Sequence, residues 1–283
     1  MSGYHDTLGY NTTRYFGAGV SGPVYDSDAA LFFAAAGIVN ATQKNAVNTF
    51  VGALKTAGIW AKLYCCYPCV GGTAAAHKFN LKDPRDLDAA FRLIFGASVT
   101  HGVNGISTGS SNDVNGVANT KMVPSVAWPA SSPNFASGIL CHTIPDLNDA
   151  PSGSFMGGTA GGGGTATPRF TRTTTSTELT VGVDGNSRTV SGISLLSFLA
   201  VTNQGLQAQI YLNGVATGAV ISTNTMISSG NLEMYIGRYN NGGAVQGICQ
   251  FTWKFAFWSQ PLSAGEQLSM SNAVAALQAA LGR

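Results

Sequence analysis

Alternation of apolar and polar residues is clearest in the last third of the chain. From Leu206 to Leu212, Leu206, Ala208, Ile210 and Leu212 fall on one side and Gln207, Gln209 and Tyr211 on the other. That period of two predicts a half-buried strand. Asn213-Gly214 follows at once and supplies the positive φ angles of a tight hairpin turn. Leu232 to Gly237 alternates again. So does Cys249 to Phe257, where Cys249, Phe251, Trp253, Phe255 and Phe257 are predicted to share a face. Pro261-Leu262-Ser263-Ala264-Gly265-Glu266 then opens a helix, with Ser263 and Glu266 at capping-box spacing. Further upstream, Thr100 to Asn119 reads as hairpins. Leu179, Val181 and Val183 alternate with Glu178 and Thr180 ahead of an Asp184-Gly185 turn. Ile193 to Val201, apolar on both faces, predicts a central strand covered on both sides.

The first third has a different period. Asp26, Ser27 and Asp28 cap a helix running to Ala36, ended by Gly37. Thr42 is the expected cap of a second helix, whose stripe is Val47, Phe50, Val51 and Leu54 and whose stop is Gly58. Ile59 to Val70 is expected to enter the sheet; a loop around Asp83-Pro84 precedes a strand from about Ala89 to Phe95. Residues 1–25 carry no period, yet hold Tyr4, Tyr10, Tyr15, Phe16 and Tyr25 among Gly, Ser, Thr and Asn. They are read as an arm that docks on a neighbouring subunit, because aromatic rings favour burial; residues 26–283 form the body. The elements together predict a mainly β sandwich with short N-terminal helices and a C-terminal helix.

Two resemblances sharpen this. Tyr211-Leu212-Asn213-Gly214, Ile236-Gly237, Phe251 to Trp258 and Leu262-Ser263-Ala264-Gly265-Glu266, in that order, resemble the laminin-G-like, concanavalin A-like jelly roll. Tyr67-Pro68, Val70 to Ala74, His77 to Asp86 and Ala89 to Leu93 are similar to a motif of tailed-bacteriophage structural proteins, in which a short helical region precedes such a jelly roll. That family usually has an aromatic residue where Cys69 stands, which implies a packing role for this cysteine. The resemblance implies a non-enzymatic structural component of a bacteriophage virion: head decoration, fibre or tail-associated protein. Its expected partners are other virion proteins and copies of itself, and its expected location is the virion.

Composition adjusts the picture. Only 10% of residues are charged, against about 25% in an average soluble domain. With 45% hydrophobic residues, 14 Phe, 9 Tyr and 4 Trp, the chain is not of a disordered type. A net charge of +2 gives no reason to expect nucleic acid or an acidic membrane. Residues 1–25 lack the apolar core of a signal peptide, so synthesis in the host cytoplasm is expected. The five cysteines, Cys65, Cys66, Cys69, Cys141 and Cys249, are then expected to be reduced. Cys66-Tyr67-Pro68-Cys69 has redox spacing without the expected context, and buried packing is preferred.

Candidate chemistry is sparse. A glycosidase needs two close carboxylates, whereas the three glutamates, Glu178, Glu233 and Glu266, are scattered. Asp83, Asp86 and Asp88 are the densest acids, but Lys82 and Arg85 interleave as ion-pair partners. No Gly-x-Ser-x-Gly elbow accompanies His5, His77, His101 or His142. Asp184-Gly185-Asn186 and Asp146, Asn148 and Asp149 fit turns as well as a calcium rim. No metal, cofactor or catalytic residue is expected. The alternative function is glycan binding at a particle surface. Tyr239, Asn240 and Asn241, beside Arg238, are read as a loop between core strands, and an aromatic ring with amides suits a sugar.

Overall fold

The computed structural model describes residues 23–97, 99–108, 134–142, 154–159, 169–172, 179–183, 186–190, 197–204, 207–222, 235–237, 239–241, 244–246 and 251–283. Tyr4, Tyr10, Tyr15 and Phe16 of the expected arm lie outside these. Tyr25 does not belong with an arm: its ring packs edge-on against Phe33 at 5.2 Å.

Helix α1 (Ser27–Ala36) is capped by Asp26, whose carboxylate accepts from the Asp28 N–H at 3.0 Å. Helix α2 (Ala41–Thr56) is capped by Asn40 rather than Thr42; the Asn40 amide oxygen reaches the Gln43 N–H at 3.0 Å. Both residue types can cap, and an N-cap oxygen serves the second or third N–H after it. The expected stripe Val47, Phe50, Val51 and Leu54 is buried. A short helix α3 (Ala74–His77) follows, and α4 (Ala264–Ala280) closes the chain with the full Ser263–Glu266 capping box.

The strands are β1 (Leu63–Tyr67), β2 (Thr100–Gly102), β3 (Gly105–Ser107), β4 (Phe135–Cys141), β5 (Ser154–Thr159), β6 (Arg169–Arg172), β7 (Leu179–Val183), β8 (Asn186–Val190), β9 (Phe198–Gln204), β10 (Gln207–Leu212), β11 (Val215–Ser222), β12 (Tyr235–Ile236), β13 (Tyr239–Asn241), β14 (Ala244–Gln246) and β15 (Thr252–Ser259). The first sheet runs β11-β10-β9-β4-β15-β3-β2, with β1 also on β15; the second runs β14-β13-β5-β6-β7-β8, with β12 also on β5. The pairings are antiparallel except β13 on β5, which is parallel. This is a mainly β antiparallel sandwich with a C-terminal helix.

The first sheet is covered on both faces. Phe255, Phe257, Leu140, Phe198, Ala200 and Tyr211 pack with α1, α2 and α4. Trp253, Trp258, Ile139, Leu199, Val201 and Ile210 form a second cluster, joined by Ile236 of the second sheet. Strand β10 follows its alternation in part: Ala208 and Ile210 are buried on one face, Gln207 is exposed and Gln209 half-buried on the other, and only Tyr211 on that second face departs by being buried. Its turn is as read, with positive φ at both Asn213 and Gly214. Helix α4 crosses this turn so closely that a Cβ on Gly214 would lie 2.8 Å from the Leu268 Cα.

Two further expectations fail. Ala89 to Phe95 is not a strand: Asp88–Ala90 makes a 3-10 turn and Phe91 adopts a left-handed φ of 59°. Side chains hold that path, with Asn80 donating to the Ala90 carbonyl at 3.0 Å and the Tyr67 hydroxyl to the Phe91 carbonyl. Second, Trp253 does not share a face with Phe255. The register with β4 pairs Trp253 with Cys141 and Phe255 with Leu140, leaving Lys254 as an extra residue in a β-bulge. Trp253 therefore turns toward the inter-sheet core, while Phe255 and Phe257 face the helices.

Candidate functional site

The residues predicted for glycan binding do not form a loop. Tyr239–Asn241 is strand β13, lying between β5 and the edge strand β14. Its register pairs Tyr239 with Gln246, Asn240 with Val245 and Asn241 with Ala244. Opposed residues share a face, so Tyr239, Asn241 and Gln246 fall on one face of the hairpin and Asn240 and Val245 on the other. Asparagine is depleted in strands, which is why the sequence reads as a loop. Nothing in the sequence marks Gln246; only the pairing places it opposite Tyr239. Arg238 lies outside the described residues.

The other candidates resolve into structural roles. Asp83 pairs with Arg85, Asp86 with Lys78 and Arg92, and Asp88 with Arg92. These cations, led by hydrogen bonds from Arg85 and Lys78 respectively, hold the Asp83 and Asp86 carboxyls below the usual range. A general acid needs the opposite shift. Lys82 takes no part in this cluster; its ammonium lies over the Trp60 ring at 4.8 Å. Glu266 completes its capping box and pairs with Lys62 at 2.6 Å. Cys65, Cys66 and Cys69 are buried, and burial pushes the Cys65 thiol up to about 12. Such thiols are inert, which agrees with the packing role. Among the described residues, no group of three or more His, Cys, Asp or Glu is placed to hold a metal ion. Of the calcium candidates only Asn186, at the start of β8, is described.

Basic side chains gather at one end of the first sheet. The gap between β1 and β3 along β15 is closed by Arg283, whose guanidinium donates to the carbonyls of Pro68, Cys69 and Val103 at 2.7, 2.8 and 2.7 Å. Beside it, the His77 and His101 Nδ1 atoms are 3.0 Å apart, and His77 Nε2 accepts from the Gly72 N–H. Burial, then His101 and Arg283, pull the His77 pKa down to about 3, so this imidazole is neutral at ordinary pH. His142 follows β4, with its N–H on the Thr252 carbonyl at 2.7 Å. Lys254, at the bulge, is 1% exposed. None of these groups was singled out as a site by the sequence, because no spacing rule links them.

No family model matches the chain, and no curated protein matches it. Solved structures do share its fold. A Trypanosoma rangeli sialidase, described in complex with sialic acid, aligns at TM-score 0.51 and 11% identity over 80% of this chain and 38% of its own. A structure titled for the dependence of botulinum neurotoxin type C cell entry on two ganglioside molecules aligns at TM-score 0.53 and 9% identity, over 77% of this chain and 53% of its own. The chain thus spans well under two thirds of either protein. At these identities the likeness is one of fold. It corrects one expectation: a chain whose architecture recurs within sialidases cannot be classed as non-enzymatic because a carboxylate pair is missing from its strands.

Proposed function

We propose that this chain is a glycan-binding β-sandwich of the concanavalin A-like, laminin-G-like kind, with its sugar site on the β13–β14 hairpin. The observation that carries this reading is the register that puts Tyr239, Asn241 and Gln246 on one face near a sheet edge. An aromatic ring offers a flat apolar surface to a pyranose, and flanking amides both donate and accept hydrogen bonds to its hydroxyls. The fold supports it: the toxin structure of matching architecture concerns ganglioside recognition, and the matching sialidase holds sialic acid. A glycan array tests the reading. Saturable binding to a defined subset of glycans is expected; uniform absence of binding would overturn it.

The setting we propose is a tailed-bacteriophage particle, where a glycan-binding module would meet the host surface. It rests on the resemblance carried by Tyr67 to Leu93 and on the aromatic residues Tyr4, Tyr10, Tyr15 and Phe16, suited to docking on other virion proteins or a second copy. Mass spectrometry of purified virions decides it: a fixed copy number is expected, and absence from particles would exclude the setting.

A further inference from the structure

The basic cluster at the end of the first sheet has, among the described residues, cations without anions. Lys254 is buried at the β15 bulge, and among the described residues no carboxylate is paired with it. His142 leaves β4 beside it, since Cys141 pairs with Trp253 and neighbouring strands lie about 4.8 Å apart. The His142 Nδ1 atom is buried with no hydrogen-bond partner, although the residue as a whole is half-exposed. Arg283 reaches the same place from α4. It is anchored on Val103, in the β2–β3 turn whose Gly105 packs on Lys254; a Cβ there would lie 3.4 Å from the Lys254 Cα. Gln278, whose Oε1 accepts from Arg283 Nε at 2.7 Å, is 5% exposed and leaves its own Nε2 without a partner.

Of the two buried atoms left without a partner here, Gln278 Nε2 is a donor, and His142 Nδ1 is one when its ring is protonated or carries the Nδ1–H tautomer. A buried ammonium without a counter-charge is destabilising, as is a buried donor without an acceptor. The positive charges also oppose one another. Burial first and Arg283 second lower the Lys254 pKa, while burial, Lys254 and Arg283 lower that of His142. One group would relieve all of this: an oxyanion, negatively charged and acceptor-only. The His77–His101 pair, bonded to itself and to Gly72, adds no negative charge.

We propose that Lys254, His142 and Arg283 form the floor and rim of an oxyanion site, suited to the carboxylate or sulfate of an acidic sugar. The sugar as source rests on the glycan reading above; the oxyanion chemistry does not. The two places are linked by a short stretch of chain. Gln246, the partner of Tyr239, is eight residues before Lys254, at most about 29 Å of extended backbone. An acidic glycan spanning both would be held by its ring at β13–β14 and by its charge at the bulge.

Calorimetric titration of the full chain with sulfate, glucuronate and glucose, with the His142 ring resonance followed by NMR, tests this. Sulfate and glucuronate are expected to bind saturably and shift the His142 resonance, while glucose leaves it unmoved. Lys254→Met is expected to weaken both anions at least tenfold; if that variant does not fold, His142→Phe is expected to weaken them severalfold. Failure of both anions to bind, or unchanged affinity in the folded variant, overturns the site. Sulfate binding without glucuronate binding keeps the oxyanion site and removes the sugar as its source. Equal binding of glucuronate and glucose with sulfate silent overturns the site and leaves the glycan reading standing.

Discussion

Asn80 shows how much of this fold one side chain can hold. Fully buried, its amide oxygen accepts from the Cys66 and Lys82 N–H groups at 3.0 and 2.9 Å, and its Nδ2 donates to the Tyr64 and Ala90 carbonyls at 3.2 and 3.0 Å. It ties β1 to the loop that turns at Phe91. Replacing it by alanine strands buried backbone groups, each costing about 1–3 kcal/mol. Asn80→Ala is therefore expected to lose at least about 3 kcal/mol in urea unfolding; a loss under about 1 kcal/mol would mean water substitutes for the amide. His77 makes a second prediction at this scale. Its folded pKa of about 3 lies below the unfolded value near 6.5, so the unfolded chain takes the proton first. Stability contributed by neutral His77 is complete above about pH 6.5 and is lost as pH falls toward 3. Between pH 6.5 and 5, where few carboxylates titrate, the stability slope should fall by up to about 1.4 kcal/mol per pH unit in His77→Gln. An unchanged slope in that variant would contradict the assignment.

At the scale of elements, sequence periodicity told the truth wherever one rule governed a segment. The β10–β11 hairpin was legible because Asn213-Gly214 demands its turn, and the start of α4 because Ser263 and Glu266 satisfy each other's backbone. Ser263→Ala is expected to lower stability by about 1 kcal/mol, the usual cost of an N-cap, with the rest of the fold intact by circular dichroism. The bulge in β15 was illegible, because one inserted residue moves Trp253 to the other face without changing composition. Its geometry leaves a specific mark. Gly105 has φ of +124°, and a Cβ would lie 2.2 Å from the Trp253 carbonyl oxygen. Gly105→Ala is expected to cost several kcal/mol or prevent folding; a thermal midpoint within a few degrees of the parent would show that the strands separate easily here. The path of Ala89 to Phe95 is illegible for a related reason: it is set by hydrogen bonds from Tyr67 and Asn80, 24 and 10 residues from their partners, and not by its own pattern.

For the whole molecule, the mainly β class and the closing helix are legible in the sequence, and the two-faced apolar run ending at Val201 marks a central strand covered on both sides, as β9 is; which elements cover it, with α1, α2 and α4 lying over Phe255 and Phe257, is not. The candidate site was half legible. Tyr239 and Asn241 are legible by residue type and Gln246 only through strand register, while Lys254, His142 and Arg283 come from the start of β15, the end of β4 and the end of α4, which no spacing rule links. Glycan recognition at the β13–β14 hairpin is the claim on which the functional account depends. The most direct measurement is the dissociation constant, by calorimetry, of a glycan selected on the array, for the parent chain and for Tyr239→Ala. The account predicts at least tenfold weaker binding in the variant with an unchanged unfolding midpoint. Equal affinity in the two proteins would contradict it.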